Sequence, residues 1–214
     1  MNNKIHLYSA SPRRKELLKK LVGKNFVVRE NNFKESNSLS GQEIREYEKL
    51  IRDTDRESSN LIATTLKNAH GKAREALKSS GGKQIKRQLA GLILTADSLV
   101  SCNGEIIGKP RDLEEARHFL RRLSGQTIVA VTAFMLIDEK SRKELLDYEL
   151  TLVYMDQFSR ELIDSYVRSR EPLGKAGGFS IQGRGVVLIK RIEGDFYNVV
   201  GLPLFRLGKA LGEF

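Results

Sequence analysis

The chain has 214 residues, of which 40% are hydrophobic, and a formal net charge of +10 at pH 7. This length suits one domain with a sizeable core, and no stretch approaches the roughly 20 apolar residues of a membrane span. One cysteine and three scattered histidines exclude an internal disulfide and a thiolate or imidazole metal cluster, so any metal is expected on oxygen ligands. The N-terminus lacks a secretion signal, which predicts a cytoplasmic protein.

The positive charge permits several partners without choosing among them. Nucleic acid, an anionic membrane surface and a polyphosphate substrate would all be attracted to a chain of this charge. The excess is spread along the sequence with no long Lys/Arg block. It is therefore equally typical of a basic chain that is simply well solvated.

Hydrophobic periodicity predicts an alternation of helices and strands. In chain order, the patterns indicate a strand at 5–8, a helix from Pro12 to about Gly23, a helix over 44–51, a long helix over 61–77, a strand at 89–95, a helix from Asp112 to about Gly125, strands at 127–137 and 145–155, a helix over 159–168 and a terminal helix from Pro203.

Turn and cap residues mark the boundaries between these elements. A Ser-Ser-Gly-Gly turn at 79–82 is expected to end the long helix, and the Asn-Gly pair at 103–104 to turn a hairpin. Asp112 and Glu115 have the spacing of a reciprocal capping box. A second hairpin is expected to turn at 193–195.

Strands separated by helices and mixed with hairpins favour an α/β (α+β mixed) fold with a central mixed sheet flanked by helices. The sequence contains no Gly-x-Gly-x-x-Gly after a strand and no Gly-Lys-Ser/Thr phosphate loop. The usual dinucleotide and P-loop architectures are therefore not indicated.

The segment from Ser9 to Arg14 has the chemistry of a phosphate site. Two hydroxyls, Ser9 and Ser11, precede a helix start, where free backbone N–H groups favour an anion. Arg13 and Arg14 add guanidinium groups that match phosphate oxygens. Ordinary helix capping and a solvated arginine pair would give the same pattern.

Two further charged residues lie in predicted loops. Asp97 and its neighbour Ser98 follow an apolar strand, and a carboxylate there can hold a divalent metal or take a proton from water. Lys109 lies in a rigid Gly-Lys-Pro break and could serve as a point charge beside phosphate. The alternatives are a turn carboxylate and a solvated lysine, while Lys72, inside the long helix, is expected to face solvent.

The loop at 174–185 differs in composition from its surroundings. Its glycines allow close backbone approach to a ligand, Phe179 could stack on a base, and Gln182 could hydrogen-bond a base edge. A flexible loop without function is the alternative interpretation.

In combination these segments resemble the Maf family of nucleoside triphosphate pyrophosphatases, over nearly the whole chain and in the family's order. The matching segments are residues 9–14, 96–98, 108–110, 123–125, 175–183 and 198–204. The resemblance implies a single domain spanning residues 1–214, with two lobes around one active-site cleft.

The resemblance also implies the reaction, which is hydrolysis between the α- and β-phosphates of a nucleoside triphosphate with a divalent metal, Mg²⁺ or Mn²⁺. It makes Asp97 the proton acceptor and places Glu35 and Asp97 beside the metal. The substrate-binding positions that it implies are Ser9, Ser11, Arg13, Arg14, Lys72, Ser98, Lys109 and Gln182.

Substrate choice in this family follows three positions, here Arg13, Ser98 and Gln182. The Ile-Gln-Gly form at 181–183 resembles the branch that acts on dTTP and UTP, whereas the branch preferring 7-methyl-GTP carries an acid in place of Gln182. Ser98 departs from the threonine common in the dTTP/UTP branch, keeping the hydroxyl without the methyl group.

Two other functions stay open. One is a nucleic-acid-binding regulator of cell division, suggested by the charge and by the family's link to septum formation, which would bind DNA or RNA with a steep salt dependence and without need of Asp97. The other is a pyrophosphatase that prefers 7-methyl-GTP or deaminated purine triphosphates. The pyrophosphatase interpretation expects no nucleic-acid partner. The resemblance further suggests a homodimer, and no membrane partner is expected.

Overall fold

A computed structural model describes residues 4–52, 54–81 and 91–214. The elements in chain order are β1 (Ile5–Tyr8), α1 (Pro12–Val22), β2 (Phe26–Arg29), α2 (Gly41–Tyr47), α3 (Arg56–Gly81), β3 (Leu92–Cys102), β4 (Glu105–Ile107), α4 (Leu113–Leu123), β5 (Thr127–Asp138), β6 (Glu144–Met155), α5 (Arg160–Arg168), β7 (Ile189–Glu193), α6 (Phe196–Val200) and α7 (Leu204–Leu211). Short 3₁₀ turns cover Glu48–Leu50, Ala176–Gly178 and Gly183–Leu188.

The strands form one mixed sheet of seven strands, in the order β2-β1-β3-β5-β6-β7 with β4 paired to the end of β3. β1 runs parallel to β2 and to β3, whereas the pairings of β3 with β5, β5 with β6 and β6 with β7 are antiparallel. Helices flank this sheet. The mixed α/β fold expected from the alternation of elements is therefore confirmed.

Helices cover both faces of the sheet, because its strands are apolar on both sides. One core cluster joins β1, β3 and β5 to α1 and α7, and includes Leu7, Leu18, Leu94, Phe134 and Leu207. The long helix α3 packs on the opposite face, where Leu66, Ala69, Leu99 and Ala133 are buried. Within the described residues, no helix combines the length and hydropathy of a membrane-spanning segment.

The sheet leaves one edge of β3 open over residues 95–99. β1 pairs with β3 only as far as Leu94, and β4 begins to pair at Val100 on the far side of the gap. Successive side chains of a strand point to opposite faces of a sheet. Asp97 therefore points towards α3 and Ser98 towards α1 and α6, yet both can reach one cavity through the open edge.

Two predicted boundaries are wrong. Asp97 does not follow the strand but lies in the middle of β3, because β5 continues to pair with β3 residue by residue to Cys102. The long helix does not end at Ser79, because the Ser79 hydroxyl donates to the Glu75 carbonyl and α3 continues to Gly81. The rest of that turn and the predicted first residues of the strand, 89 and 90, lie outside the described residues.

One predicted hairpin turn and one predicted helix cap also differ from the structure. Residues 193–195 do not turn a hairpin, because the Asp195 carboxylate accepts the Asn198 N–H and so caps α6. The capping box at α4 forms only in part. Asp112 accepts the Glu115 N–H, but the Glu115 carboxylate accepts from the backbone and side chain of Arg111 instead of from the Asp112 N–H.

Candidate active site

A cavity of about 360 Å³ opens where β1 ends and α1 begins, beside the open edge of β3. Every predicted site residue except Gln182 lines it: Ser9, Ser11, Arg13, Arg14, Glu35, Lys72, Asp97, Ser98 and Lys109. The cavity thus brings together residues that are up to a hundred positions apart in the sequence.

The Ser9–Arg14 turn is built to present the N-terminus of α1. The Ser11 side chain accepts the Arg14 N–H at 3.4 Å as the N-cap, and Pro12 occupies the first helical position, where no N–H is needed. Ser9 Oγ accepts the Ser11 N–H at 3.2 Å. The first turn of α1 contains no acidic residue, so this helix end is free to attract an anion.

Arg14 is fixed in place rather than solvated. Its Nε donates to the Gly201 carbonyl at 2.9 Å and its Nη2 to Ser98 Oγ at 2.8 Å. Burial lowers the pKa of Arg14, while the charge of Asp97 acts in the opposite direction. An arginine remains protonated under such conditions, so Arg14 carries a positive charge with a fixed direction into the cavity.

Arg13 and Lys175 form a second cationic group on the cavity wall. Burial lowers the pKa of both side chains, and Arg13 further lowers that of Lys175. Among the described residues, no carboxylate forms an ion pair with either one. The Lys175 ammonium group donates to the backbone carbonyl of Glu171, whose carboxylate accepts loop N–H groups instead. This pair of cations is electrostatically poised for an anion.

Lys175 was not among the predicted site residues, although it lies in one of the segments that carry the family resemblance. A lysine beside three glycines gives little signal by itself. The fold of the 174–185 loop brings Lys175 to the cavity wall, close enough to Arg13 for the charge of Arg13 to lower the Lys175 pKa.

Lys72 is buried, which corrects the expectation that it faces solvent. Its Nζ lies 2.5 Å from Glu35 Oε1, 2.7 Å from Asp97 Oδ1 and 3.2 Å from the Ala96 carbonyl oxygen. The cause is the packing of α3 directly on β3, which turns this face of the helix towards the sheet. One ammonium group therefore joins two carboxylates.

Glu35 is held by two lysines. Its second oxygen, Oε2, accepts from Lys109 Nζ at 3.0 Å. Burial by itself would raise the pKa of Glu35, but the charges and hydrogen bonds of Lys72 and Lys109 outweigh that effect and lower the pKa to about 2. Glu35 is thus ionised throughout the physiological range.

Asn68 is a site residue that the motifs in the sequence do not reveal. Its Nδ2 donates to Asp97 Oδ2 at 2.9 Å and to the Ser36 carbonyl at 2.9 Å, and its Oδ1 accepts the Ser36 N–H at 3.0 Å. Asn68 therefore orients the carboxylate and anchors the segment that carries Glu35. Its spacing of four from Lys72, which puts both on one helix face, was the available signal.

The two carboxylates fit a divalent metal that arrives with a phosphorylated ligand. The described residues contain no group of three His, Cys, Asp or Glu side chains that could hold a metal ion alone. Glu35 and Asp97 offer hard oxygen ligands, and Mg²⁺ commonly binds one or two carboxylates and completes its shell with water and phosphate oxygens. The donor set suits that mode of binding.

Phe179 and Gln182 of the 174–185 loop lie differently with respect to the cavity. Phe179 is only 5% exposed and packs in a core cluster with Val100 and Leu188, but it also lines the cavity, so its stacking on a base stays a prediction. Gln182 is exposed and does not line the cavity. Its contribution to substrate choice stays a prediction from the family resemblance.

The chain is similar over nearly its whole length to known proteins. The family model described as "Maf-like protein" matches residues 4–214. A curated dTTP/UTP pyrophosphatase of Methanosarcina barkeri is 44% identical over 207 residues, covering 97% of this chain and 92% of the relative. Those of Methanosarcina mazei and Methanococcoides burtonii are 42% and 41% identical, covering 97% and 98% of this chain and 92% and 94% of the relatives.

Proposed function

The chain belongs to the Maf family, and we propose that it hydrolyses dTTP and UTP to the nucleoside monophosphate and pyrophosphate. One observation carries the proposal. Asp97, buried between Lys72 and Asn68, lines the same cavity as Arg13 and Lys175, two cations that have no carboxylate partner among the described residues. The names of the relatives support dTTP and UTP as substrates, and the cations that line this cavity support the binding of their phosphates there.

In the proposed reaction, the triphosphate lies between the N-terminus of α1 and the cationic side chains. Arg13, Arg14 and Lys175 bind phosphate oxygens and stabilise the charge that develops in the transition state. Asp97 takes a proton from a water molecule as the water oxygen bonds to the α-phosphorus. The bond between the α-phosphorus and the bridging oxygen breaks, and pyrophosphate leaves with the electron pair of that bond.

Both oxygens of Asp97 accept hydrogen bonds from nitrogen donors, which fix the orientation of the carboxylate at the cavity. We propose that Glu35 and Asp97 hold a Mg²⁺ or Mn²⁺ ion together with the phosphates. When bound, such an ion neutralises phosphate charge and polarises the phosphoryl oxygens.

The reaction is tested by measuring pyrophosphate release from dTTP, UTP, 7-methyl-GTP, ITP and the remaining natural triphosphates, with Mg²⁺ and with Mn²⁺. We expect dTTP and UTP to have the highest kcat/KM. Asp97→Asn should lower turnover at least about a hundredfold without unfolding the chain. Asp156→Asn, at an exposed position, is the matched control. Wild-type turnover by folded Asp97→Asn would refute the mechanism, and preference for a purine would refute the substrate.

We also propose a cytoplasmic location and a homodimer, both from the family resemblance. Cell fractionation and sedimentation of the purified chain test these two statements separately from the activity.

A further inference from the structure

A row of hydrogen bonds runs from Arg14 along the wall of the cavity, which Ser98, Thr132 and Asn198 also line. Arg14 Nη2 lies 2.8 Å from Ser98 Oγ, which lies 2.8 Å from Thr132 Oγ1, which lies 3.0 Å from the Asn198 carbonyl oxygen. Ser98 and Thr132 face each other across β3 and β5 as a register pair. Thr132 is 1% exposed, so its hydroxyl is shielded from bulk water.

The direction of every bond in this row is fixed by its ends. A guanidinium group only donates and a carbonyl oxygen only accepts. The Thr132 hydroxyl must therefore donate its one hydrogen bond to the Asn198 carbonyl, and it can only accept a hydrogen bond from Ser98. The Ser98 hydroxyl in turn donates to Thr132 and accepts from Arg14. Each residue therefore donates to the next in the order Arg14, Ser98, Thr132, Asn198.

We propose that Thr132 is a positioning residue for Arg14, acting through Ser98. Because Thr132 accepts the hydrogen bond of the Ser98 hydroxyl, the lone pairs of Ser98 point towards the guanidinium group and fix its direction. The inference rests on the proposed function, because Arg14 is taken to bind the triphosphate. In this arrangement the Ser98 hydroxyl cannot donate a hydrogen bond to the substrate, so position 98 influences substrate choice through Arg14.

The other contacts of Arg14 and Asn198 make this row a unit. Arg14 Nε donates to the carbonyl of Gly201, just after α6, and Thr132 donates to a carbonyl within α6. The side-chain nitrogen of Asn198, Nδ2, donates hydrogen bonds to the Ala130 carbonyl and to Thr151 Oγ1. α6 is therefore held against β5 at the position that Arg14 needs.

The first test compares Thr132→Val, which removes the hydroxyl at nearly constant volume, with Thr132→Ser, which keeps it. The matched control is Thr65→Val, because Thr65 is equally buried and donates to the Leu61 carbonyl within α3. We expect Thr132→Val to raise the KM for dTTP about tenfold with a smaller change in kcat, since a charged group loses its fixed partner. Thr132→Ser and Thr65→Val should stay within about twofold of the wild type.

A double-mutant cycle separates action through Ser98 from a general effect on folding. If Thr132 acts through Ser98, then Ser98→Ala combined with Thr132→Val should cost no more than Ser98→Ala alone. Multiplicative effects of the two changes on kcat/KM, or a loss in Thr65→Val equal to that in Thr132→Val, would overturn the proposal.

A second measurement does not depend on turnover. The exchange of the Arg14 Nε–H proton with water, followed by NMR on arginine-labelled protein, should become at least about threefold faster in Thr132→Val and stay unchanged in Thr65→Val. Unchanged exchange in Thr132→Val refutes the positioning role even if the wild type hydrolyses dTTP. A wild type without pyrophosphatase activity refutes the proposed function, whereas the exchange rates still decide on Thr132.

Discussion

Lys72 and Asp97 form a buried ion pair, with 2.7 Å between Lys72 Nζ and Asp97 Oδ1. The same ammonium group also neutralises Glu35. Removing one partner of a buried pair leaves the other charge without compensation, which costs more than the pair itself contributes. Lys72 is therefore important for stability as well as for any part in binding substrate.

Lys72→Met should lower the free energy of unfolding by about 3 kcal/mol or more, because two carboxylates lose their shared cation. Denaturant titration measures this change. Lys67→Met is the control on the same helix, since Lys67 forms a 2.8 Å ion pair with Glu43 at a partly exposed position. Its loss should stay below about 1 kcal/mol. Equal losses in both variants would contradict the special position of Lys72.

Glu35 should make the stability of the fold depend on pH in the acid range. The pKa of Glu35 is lowered from 4.5 to about 2 in the folded chain. Its ionisation therefore stabilises the fold above the unfolded pKa, and this contribution is lost as the pH falls through the folded pKa. Glu35→Gln should show a shallower loss of stability between about pH 4.5 and pH 2 than the wild type.

The measurement is the unfolding free energy of both proteins at half-unit steps of pH. Glu46→Gln, at an exposed position, controls for the loss of one acidic side chain. Parallel curves for Glu35→Gln and the wild type would show that the two lysines do not favour the ionised form of Glu35.

Lys175→Met should weaken the binding of a triphosphate. Arg13 lies close enough to Lys175 to lower the pKa of that lysine, and neither side chain has an ion-pair partner in the described part of the chain. We expect the KM for dTTP to rise about tenfold with little change in stability, because a charge-assisted contact to phosphate is lost. Lys190→Met, on the exposed side of β7, should leave the KM unchanged. A common KM for the two variants would remove Lys175 from the site.

Gly201→Ala should destabilise the fold, whereas Gly41→Ala should not. Gly201 has φ +127°, a conformation that residues with a Cβ rarely adopt, and its carbonyl accepts from Arg14. Alanine there should cost about 1–3 kcal/mol. Gly41 begins α2 and has open space where the methyl group of an alanine would lie, so alanine should leave stability unchanged or raise it by up to about 1 kcal/mol. Thermal unfolding of both variants checks the two signs.

The local features of the fold were predictable because short-range rules decide them. Ser11 caps α1 and Asn103, with φ +51°, turns the β3–β4 hairpin, as their residue types indicate. The middle of β3 was harder. Ala96-Asp97-Ser98 has a polar pair that usually ends a strand, but the pairing of Ser98 with Thr132 and of Asp97 with Ala133 continues it. Tertiary pairing outweighed local preference there.

Site residues at long range depended on the family resemblance or were missed. Lys72 has no local sign of burial, since only the packing of α3 on β3 brings its ammonium group to Asp97. Asn68 and Thr132 belong to no short motif, and their contacts arise from the helix face and the strand register. Residue types alone could suggest the chemistry but not these partners.

The hydrogen bonds between Asn68 and the backbone of Ser36 restrict the amino acids at these two positions differently. Asn68 bonds both the N–H and the carbonyl of Ser36 and ignores its side chain. Asn68 itself therefore excludes only proline, which has no N–H, at position 36, whereas the Ser36 hydroxyl is hydrogen-bonded to the carbonyl and the N–H of Ser38. Position 68, by contrast, needs a side chain that both donates and accepts. A designer who shortens or extends the stretch after residue 36 can leave Glu35 in place by keeping that one backbone unit at its anchor.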